Sequence, residues 1–311
     1  MRHRFLSSLI IGAICCTAAL CVGSLHRNAI AQETRTVQAW KGMYPGVEVK
    51  LDAMGQLQLV DFSKSELAKT AGRIDEALSQ LQGQLKLRNL IVGGPGITDA
   101  GLKSVAKFEN LGALSIVDSP ITDRGLVALQ THTKLKEISL VRLPIGNESL
   151  APLVGNSSLV KLRLRAAANV TDEAISKYLP KFTNIASLEL SELAIGDASL
   201  DTISRLPKLV DLNLLRTQVT SAGIKRLAGL PLKKLNLDDI PTIGDEAISA
   251  ILAIPTLEFL HLGKTKVTDA GIAKLSDLKS LKDLLINDTE VSEKAIADLQ
   301  AKLPNLKIKS K

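Results

Sequence analysis

Apolar and polar positions along this chain form a block that returns every 24 or 25 residues. The block Ile-Thr-Asp-x-Gly-Leu opens at Ile97. Related versions start at Ile121, Ile145, Val170, Ile195, Val219, Ile243, Val267 and Val291. Self-similarity at a short fixed period predicts a solenoid, because a unit this small buries its apolar side chains only against copies of itself.

Each block predicts a helix start followed by a short strand. Thr98 is placed to cap a helix, its hydroxyl accepting a backbone N–H of the first turn, and Asp99 puts negative charge at the positive end of the helix dipole. Ile97 and Leu102 have the spacing of a hydrophobic staple. The cap column reads Thr98, Thr122, Gly146, Thr171, Gly196, Thr220, Gly244, Thr268, Ser292, all suitable caps. Three residues on stand Gly101, Gly125, Ser149, Ala174, Ser199, Gly223, Ala247, Gly271 and Ala295. That small-residue column predicts helix starts lying close against a neighbouring backbone. The second half of each block reads Leu-x-x-Leu-x-Leu, as in Leu111/Leu114/Ile116 and Leu209/Leu212/Leu214. Its period of two sends these side chains inward and their neighbours outward. The expected fold is α/β: one long parallel sheet with helices behind it.

The ends depart from the repeat. Val47, Val49 and Leu51, then Gly55, then Leu57 and Leu59, predict a hairpin. Ser63-Lys64-Ser65-Glu66 reads as a capping box opening a short helix, Ile74 to Leu81 as helical, and Leu87, Leu90 and Val92 as the first strand of the stack. Trp40 and Tyr44 are assigned to packing within this cap. At the other end Lys307, Lys309 and Lys311 alternate with apolar residues, and lysines discourage another strand from docking.

Composition narrows the function classes. Aromatics are 3% of the 311 residues, which suits thin aliphatic layers and disfavours a sugar-stacking surface. Arg2 and Arg4, the uncharged apolar run Phe5 to Val22 and Ala29-Ile30-Ala31 read as an export signal cleaved before Gln32, with an uncleaved anchor as the alternative. No transmembrane helix is expected after residue 31. The three cysteines, Cys15, Cys16 and Cys21, all precede that point, so the exported chain has no disulfide, thiolate site or cysteine nucleophile. The formal charge of +7 falls to +4 without Arg2, Arg4 and Arg27, and no basic-aromatic motif indicates nucleic acid. The chain therefore divides into a signal peptide (1–31), a capping region (32–96) and a solenoid of about nine units (97–311).

The repeated Thr-Asp-x-Gly-Leu with Leu-x-x-Leu-x-Leu resembles the leucine-rich-repeat family, within it the helix-containing group of ribonuclease-inhibitor-like and F-box-associated repeats. The resemblance covers about residues 85 to 311. It implies a curved arc, strands concave and helices convex, with a macromolecule, usually a protein, bound on the concave side. One position departs from the family. Where Asn or Cys is usual beyond the strand, this chain has Ser119, Leu143, Ala167, Leu193, Thr217, Ile240, Thr265 and Thr289, four of which can hydrogen-bond.

Candidate chemistry is sparse. His132 is expected to face solvent in a helix-to-strand connection. His261 projects from the concave face beside Asn236 and Leu285, with Asp238 and Asp283 diagonal and no hydroxyl or thiol on the nearest strand positions. No calcium-loop spacing accompanies Asp211, Asp238, Asp239 and Asp283. No catalytic residue, metal or cofactor is therefore expected. Asn147 and Asn169 fit glycosylation acceptor patterns. Two groups stand out on the predicted outward face. Lys161, Arg163 and Arg165, with Arg142 near, form a basic group for an acidic partner or else pair across strands with Glu137 and Glu189. Phe259, His261 and Leu285, with Leu215 on the same face, form an aromatic and aliphatic spot able to anchor a partner. The expected function is an exported, non-enzymatic protein in the periplasm, cell envelope or extracellular space that binds a protein partner. A structural spacer and a carbohydrate-binding module are the alternatives.

Overall fold

A computed structural model describes residues 38–40, 42–53, 57–81 and 87–310. The expected export signal, Gly55 and Lys311 lie outside the described residues. Twelve strands form one sheet in chain order: β1 Glu48–Leu51, β2 Leu57–Asp61, β3 Asn89–Gly93, β4 Ala113–Val117, β5 Glu137–Val141, β6 Lys161–Arg165, β7 Ser187–Ser191, β8 Asp211–Asn213, β9 Lys234–Asn236, β10 Phe259–His261, β11 Asp283–Leu285 and β12 Lys307–Lys309. The β1/β2 pair is antiparallel, the expected hairpin, and every later pairing is parallel.

The inward leucines stack in register. Leu114, Ile138, Leu162, Leu188, Leu212, Leu235, Leu260 and Leu284 are successive partners, and all are buried. Each such side chain contributes about 1.5–3 kcal/mol of burial, and successive rungs form one continuous core.

The helix starts follow the cap column. Thr98, Thr122, Thr171 and Thr268 accept the backbone N–H two residues on, while Thr220 and Ser292 accept the one three on. The aspartate that follows most of these caps does more than complement a dipole: it ties one unit to the next. Asp197 accepts the N–H of Thr220 at 2.8 Å and its hydroxyl at 2.7 Å, and Asp75, Asp99, Asp245 and Asp269 repeat this double bond with Thr98, Thr122, Thr268 and Ser292. Asn147 takes the same place, accepting from Thr171, so its amide sits inside this hydrogen-bond ladder.

These carboxylates also explain the small-residue column. A Cβ on Gly101, Gly125, Gly223 or Gly271 would lie 1.9–2.2 Å from a carboxylate oxygen of the preceding unit. The crowding neighbour is thus chiefly an aspartate side chain, where a neighbouring backbone was expected. Where the cap is Gly196, the carboxylate turns: Asp172 accepts the N–H groups of Gly196 and Ser199, both at 3.0 Å, and the Ser199 hydroxyl at 2.5 Å.

Beyond each strand the chain turns through a left-handed residue. Asp118, Arg142, Ala166, Glu192, Arg216, Asp239, Lys264 and Asp288 have φ of 52–57°. L-residues resist this conformation. It persists here because most of these N–H groups bond the neighbouring unit, as Asp118 does with the Val141 carbonyl at 3.0 Å. The next residue is where the sequence departs from the family pattern. Thr217, Thr265 and Thr289 donate their hydroxyls to the carbonyl three residues back, at 2.8, 2.6 and 2.7 Å. Leu143, Ala167, Leu193 and Ile240 fill the same place with buried apolar groups. The turn is therefore held by backbone bonds, and the side chain there is free to be aliphatic.

Two local expectations need correction. The serine pair at 63–66 does not form a capping box. The helix there is a single 3-10 turn, Glu66–Lys69, with Ser65 at its cap, and Ser65 donates its hydroxyl back to the Phe62 carbonyl at 2.7 Å. His132 does not face solvent. It is 5% exposed and stands where other units place Phe108 or Phe182, its Nε2 3.2 Å from the Val105 carbonyl. Trp40 packs edge-on against Tyr44 and Phe62, within the cap as expected.

Burial holds the His132 pKa below its ordinary 6.5, with backbone carbonyls opposing the shift. The folded histidine is therefore neutral while an unfolded one takes a proton. Its stability contribution is present above about pH 6.5 and is lost as the pH falls through the lowered folded value. His132→Phe should remove this part of the acid loss. Denaturant melts at about pH 7 and pH 5 should show a smaller difference for the variant than for the wild type, and equal differences would refute the buried neutral assignment.

Candidate binding surface

The outward side chains of β3 to β11 form parallel columns in the register the repeat predicts. Along the first run Asn89, Ala113, Glu137, Lys161, Ser187, Asp211, Lys234, Phe259 and Asp283. Along the second run Ile91, Ser115, Ser139, Arg163, Glu189, Asn213, Asn236, His261 and Leu285. After β8 and β9 the side-chain oxygens of Asn213 and Asn236 accept the N–H groups of Leu215 and Asp238, at 3.0 and 2.9 Å. These asparagines are occupied in shaping the strand ends.

Each cation of the basic group has an acidic neighbour. Arg163 Nε lies 3.0 Å from Glu189, Lys161 Nζ 3.9 Å from Glu137, and Arg165 Nη2 2.8 Å from Glu192. Arg142 makes two bonds to Asp118, at 2.5 and 2.6 Å, and these hold the Asp118 carboxyl below the usual carboxylate range. Pairs this exposed are worth about 0–1 kcal/mol. Arg142→Ala should therefore lower the unfolding free energy from a denaturant melt by less than about 1 kcal/mol, and a larger loss would mean that the pair secures the left-handed turn.

The second group lies on β10 and β11. Phe259 and Leu285 are partly exposed, and His261 Nε2 is 3.1 Å from Asn287 Oδ1 and 3.5 Å from Asp238 Oδ1. These three polar groups converge over Gly263, where a Cβ would come within 2.6 Å of Asp238 and 2.7 Å of Asn287. Leu215, partly exposed, sits beyond β8, and its carbonyl accepts the N–H of Glu192, the partner of Arg165, at 2.8 Å. The Thr265 hydroxyl, in the turn after β10, is buried and donates to the Leu262 carbonyl at 2.6 Å. Among the described residues no group of three or more His, Cys, Asp or Glu is placed to hold a metal ion, and no helix is long and apolar enough to cross a membrane.

A third region lies outside the two groups that the sequence makes conspicuous. An open depression of about 350 Å³ lies over β2 to β7, on a floor that includes Leu59, Ile91, Ala113, Ser115 and Ser139. A second, of about 380 Å³, adjoins it at the strand starts and is lined by Arg88, Asn89, Asn110, Gly112, Lys134 and Lys136. The available signal was the column just before the strand, where Arg88, Gly112 and Lys136 follow one another at the repeat spacing. Backbone bonds confirm that stacking, with Gly112 donating to Arg88 at 2.7 Å and Lys136 to Gly112 at 2.7 Å.

Residues 253–276 match the family described as Leucine Rich repeat. Among solved structures, an internalin (inlF) from Listeria monocytogenes is similar over 75% of this chain and 62% of its own, with 20% identity and a TM-score of 0.55. This chain thus spans about three fifths of that protein. An internalin C2 (inlC2) from the same organism aligns over 76% of this chain and 84% of its own, at 22% identity and a TM-score of 0.44. No curated protein sequence matches the chain. At these identities the likeness concerns the fold.

Proposed function

Because this chain is a leucine-rich-repeat solenoid, we propose that it is an exported, non-enzymatic binding protein that takes a protein partner on the concave sheet face. One observation carries this reading. The helices cover one face of the sheet, while the other presents eight or more strands of outward side chains with no element of the described chain packed over them. A broad, mixed polar ribbon on a rigid backbone suits recognition of a macromolecule better than chemistry. The residues proposed to contribute are Lys161, Arg163, Arg165 and Arg142, and separately Phe259, His261, Leu285 and Leu215. Export follows from the N-terminal signal pattern and places the protein in a periplasm, envelope or extracellular space.

A spacer role without a tight ligand is the second reading, favoured by the pairing of every cation in the basic group with an acid. Affinity capture from the exported fraction separates the two. The wild type should retain a specific protein. That protein should be lost or weakened at least about tenfold by Arg163→Glu with Arg165→Glu, or by Phe259→Ala, since central anchors carry about 2 kcal/mol or more. Capture of nothing in any condition would favour the spacer.

A further inference from the structure

We propose that the N-terminal third of the concave face, from β2 to β5 with its adjoining rim, receives an extended acidic segment of the partner, with carboxylates on Arg88, Lys134 and Lys136 and an aliphatic side chain over Ile91 and Ala113. This rests on the concave-face reading and names the chemistry recognised there.

The rim cations differ from those on β6. Arg163 and Arg165 face glutamates at 2.8–3.0 Å, whereas Arg88, Lys134 and Lys136 are exposed and make no ion pair among the described residues. Three like charges gathered around Gly112 raise the local positive potential, and an anion arriving there need not displace an internal partner. The nearest acid lining both depressions is Glu137, whose carboxylate is 3.9 Å from Lys161. On β2, Asp61 is the register partner of Ile91, and its carboxylate accepts the Ser63 N–H at 2.7 Å.

The floor beside these cations is unlike the rest of the face. Ile91 occupies the column that holds Ser115, Ser139 and Arg163 in the next three units, and Leu59 lies beside Asn89 across the strand pair. A ligand satisfying both regions carries anionic and apolar groups together. That describes a peptide with Asp or Glu around an aliphatic residue. A sulfated sugar polymer would meet the cations but not the floor, and no aromatic side chain lines either depression for a sugar to stack on.

The dimensions agree. Arg88 and Lys136 are two strand steps apart, about 10 Å at about 4.8 Å per step. An extended chain advances about 3.3 Å per residue, so carboxylates two to four residues apart reach both.

The test uses the exported chain and fluorescence anisotropy with defined probes: a labelled peptide of alternating Asp/Glu and Leu, the same peptide with Lys for each acid, polyglutamate, and heparin. The acidic–aliphatic peptide is expected to bind the wild type, more tightly than polyglutamate, and the lysine peptide not at all. Arg88→Glu, Lys134→Glu and Lys136→Glu together should weaken it at least about tenfold. Lys103→Glu, Lys181→Glu and Lys225→Glu, an equal charge change on the helix side, should not. Ile91→Asp should also weaken it, and a circular dichroism melt confirms that each variant folds. The proposal is overturned if the wild type does not bind the acidic–aliphatic peptide, if both triple variants lose binding equally or neither does, or if heparin binds and the peptide does not. Affinity capture of a partner that survives the Arg88, Lys134 and Lys136 reversals would sink this assignment while leaving the broader binding reading intact.

Discussion

Leu212→Ala is expected to cost about 2–5 kcal/mol, the largest single-residue effect the fold implies. Leu212 is fully buried, with Leu188 and Leu235 directly beside it on the flanking strands. Removing its side chain leaves a void that cannot collapse locally, because the backbone on both sides is pinned by parallel pairing. The loss should also spread. In a stack, each unit is stabilised mainly by contacts with its neighbours, so a weakened rung near the middle uncouples the two halves. A denaturant melt should therefore show a lower midpoint, with a broadened or split transition. A curve superimposable on the wild type would place Leu212 outside the core.

The second effect comes from the aspartate ladder and has a sign that distinguishes two mechanisms. Gly223 lies in the helix Ser221–Ile224, where helix propensity alone favours a side chain over glycine by up to about 1 kcal/mol. Against this, a Cβ at Gly223 would lie 2.0 Å from Asp197 Oδ1. That carboxylate is fixed by two hydrogen bonds to Thr220, and hydrogen bonds to charged groups are worth about 1.5–3 kcal/mol each. Gly223→Ser should therefore destabilise, by about 1–3 kcal/mol. Combining it with Thr220→Gly recreates the arrangement of Gly196 and Ser199, in which the turned carboxylate finds new donors. The double variant should be more stable than the sum of the two singles predicts, a positive coupling that a double-mutant cycle measures. Strict additivity would show that the cap and the glycine are independent.

This pairing of cap and small residue was written in the sequence but is readable only with the structure beside it. The two columns were visible: Thr98 with Gly101 and Thr122 with Gly125, against Gly146 with Ser149 and Gly196 with Ser199. What linked them was the carboxylate one unit earlier, 23 or 24 residues away, and a hydrogen bond across units leaves no local pattern. The strands and their register were legible because alternation of period two maps directly onto a pleated sheet. The buried His132 was missed for the opposite reason. A polar residue in an apolar column looks like an exception to the column, yet the imidazole reaches the Val105 carbonyl and stays inside. Asn156 in the next unit does likewise, donating to the Leu135 carbonyl at 2.6 Å.

For the outward face the sequence identified which side chains project and part of how they pair. For the basic strand Lys161–Arg165 the register pointed to pairing with Glu137 and Glu189, and both pairs are present; Glu192, which pairs with Arg165 from the turn after β7, was not foreseen. The rim cations Arg88, Lys134 and Lys136 are scattered over two repeats and form no pattern in the sequence, although they carry no such partners among the described residues.

The central claim is that a partner sits on the exposed face of the sheet, and site-directed crosslinking tests it most directly. All three cysteines of the chain precede residue 31, so a chain starting at Gln32 accepts a single cysteine anywhere without background. A photoreactive label would be placed at Ser115→Cys or Asn213→Cys on the strands, and at Lys103→Cys or Lys225→Cys on the helix side. Illumination in the exported fraction should join the same partner to the two strand positions and not to the helix positions. Adducts formed from the helix side alone would contradict the account.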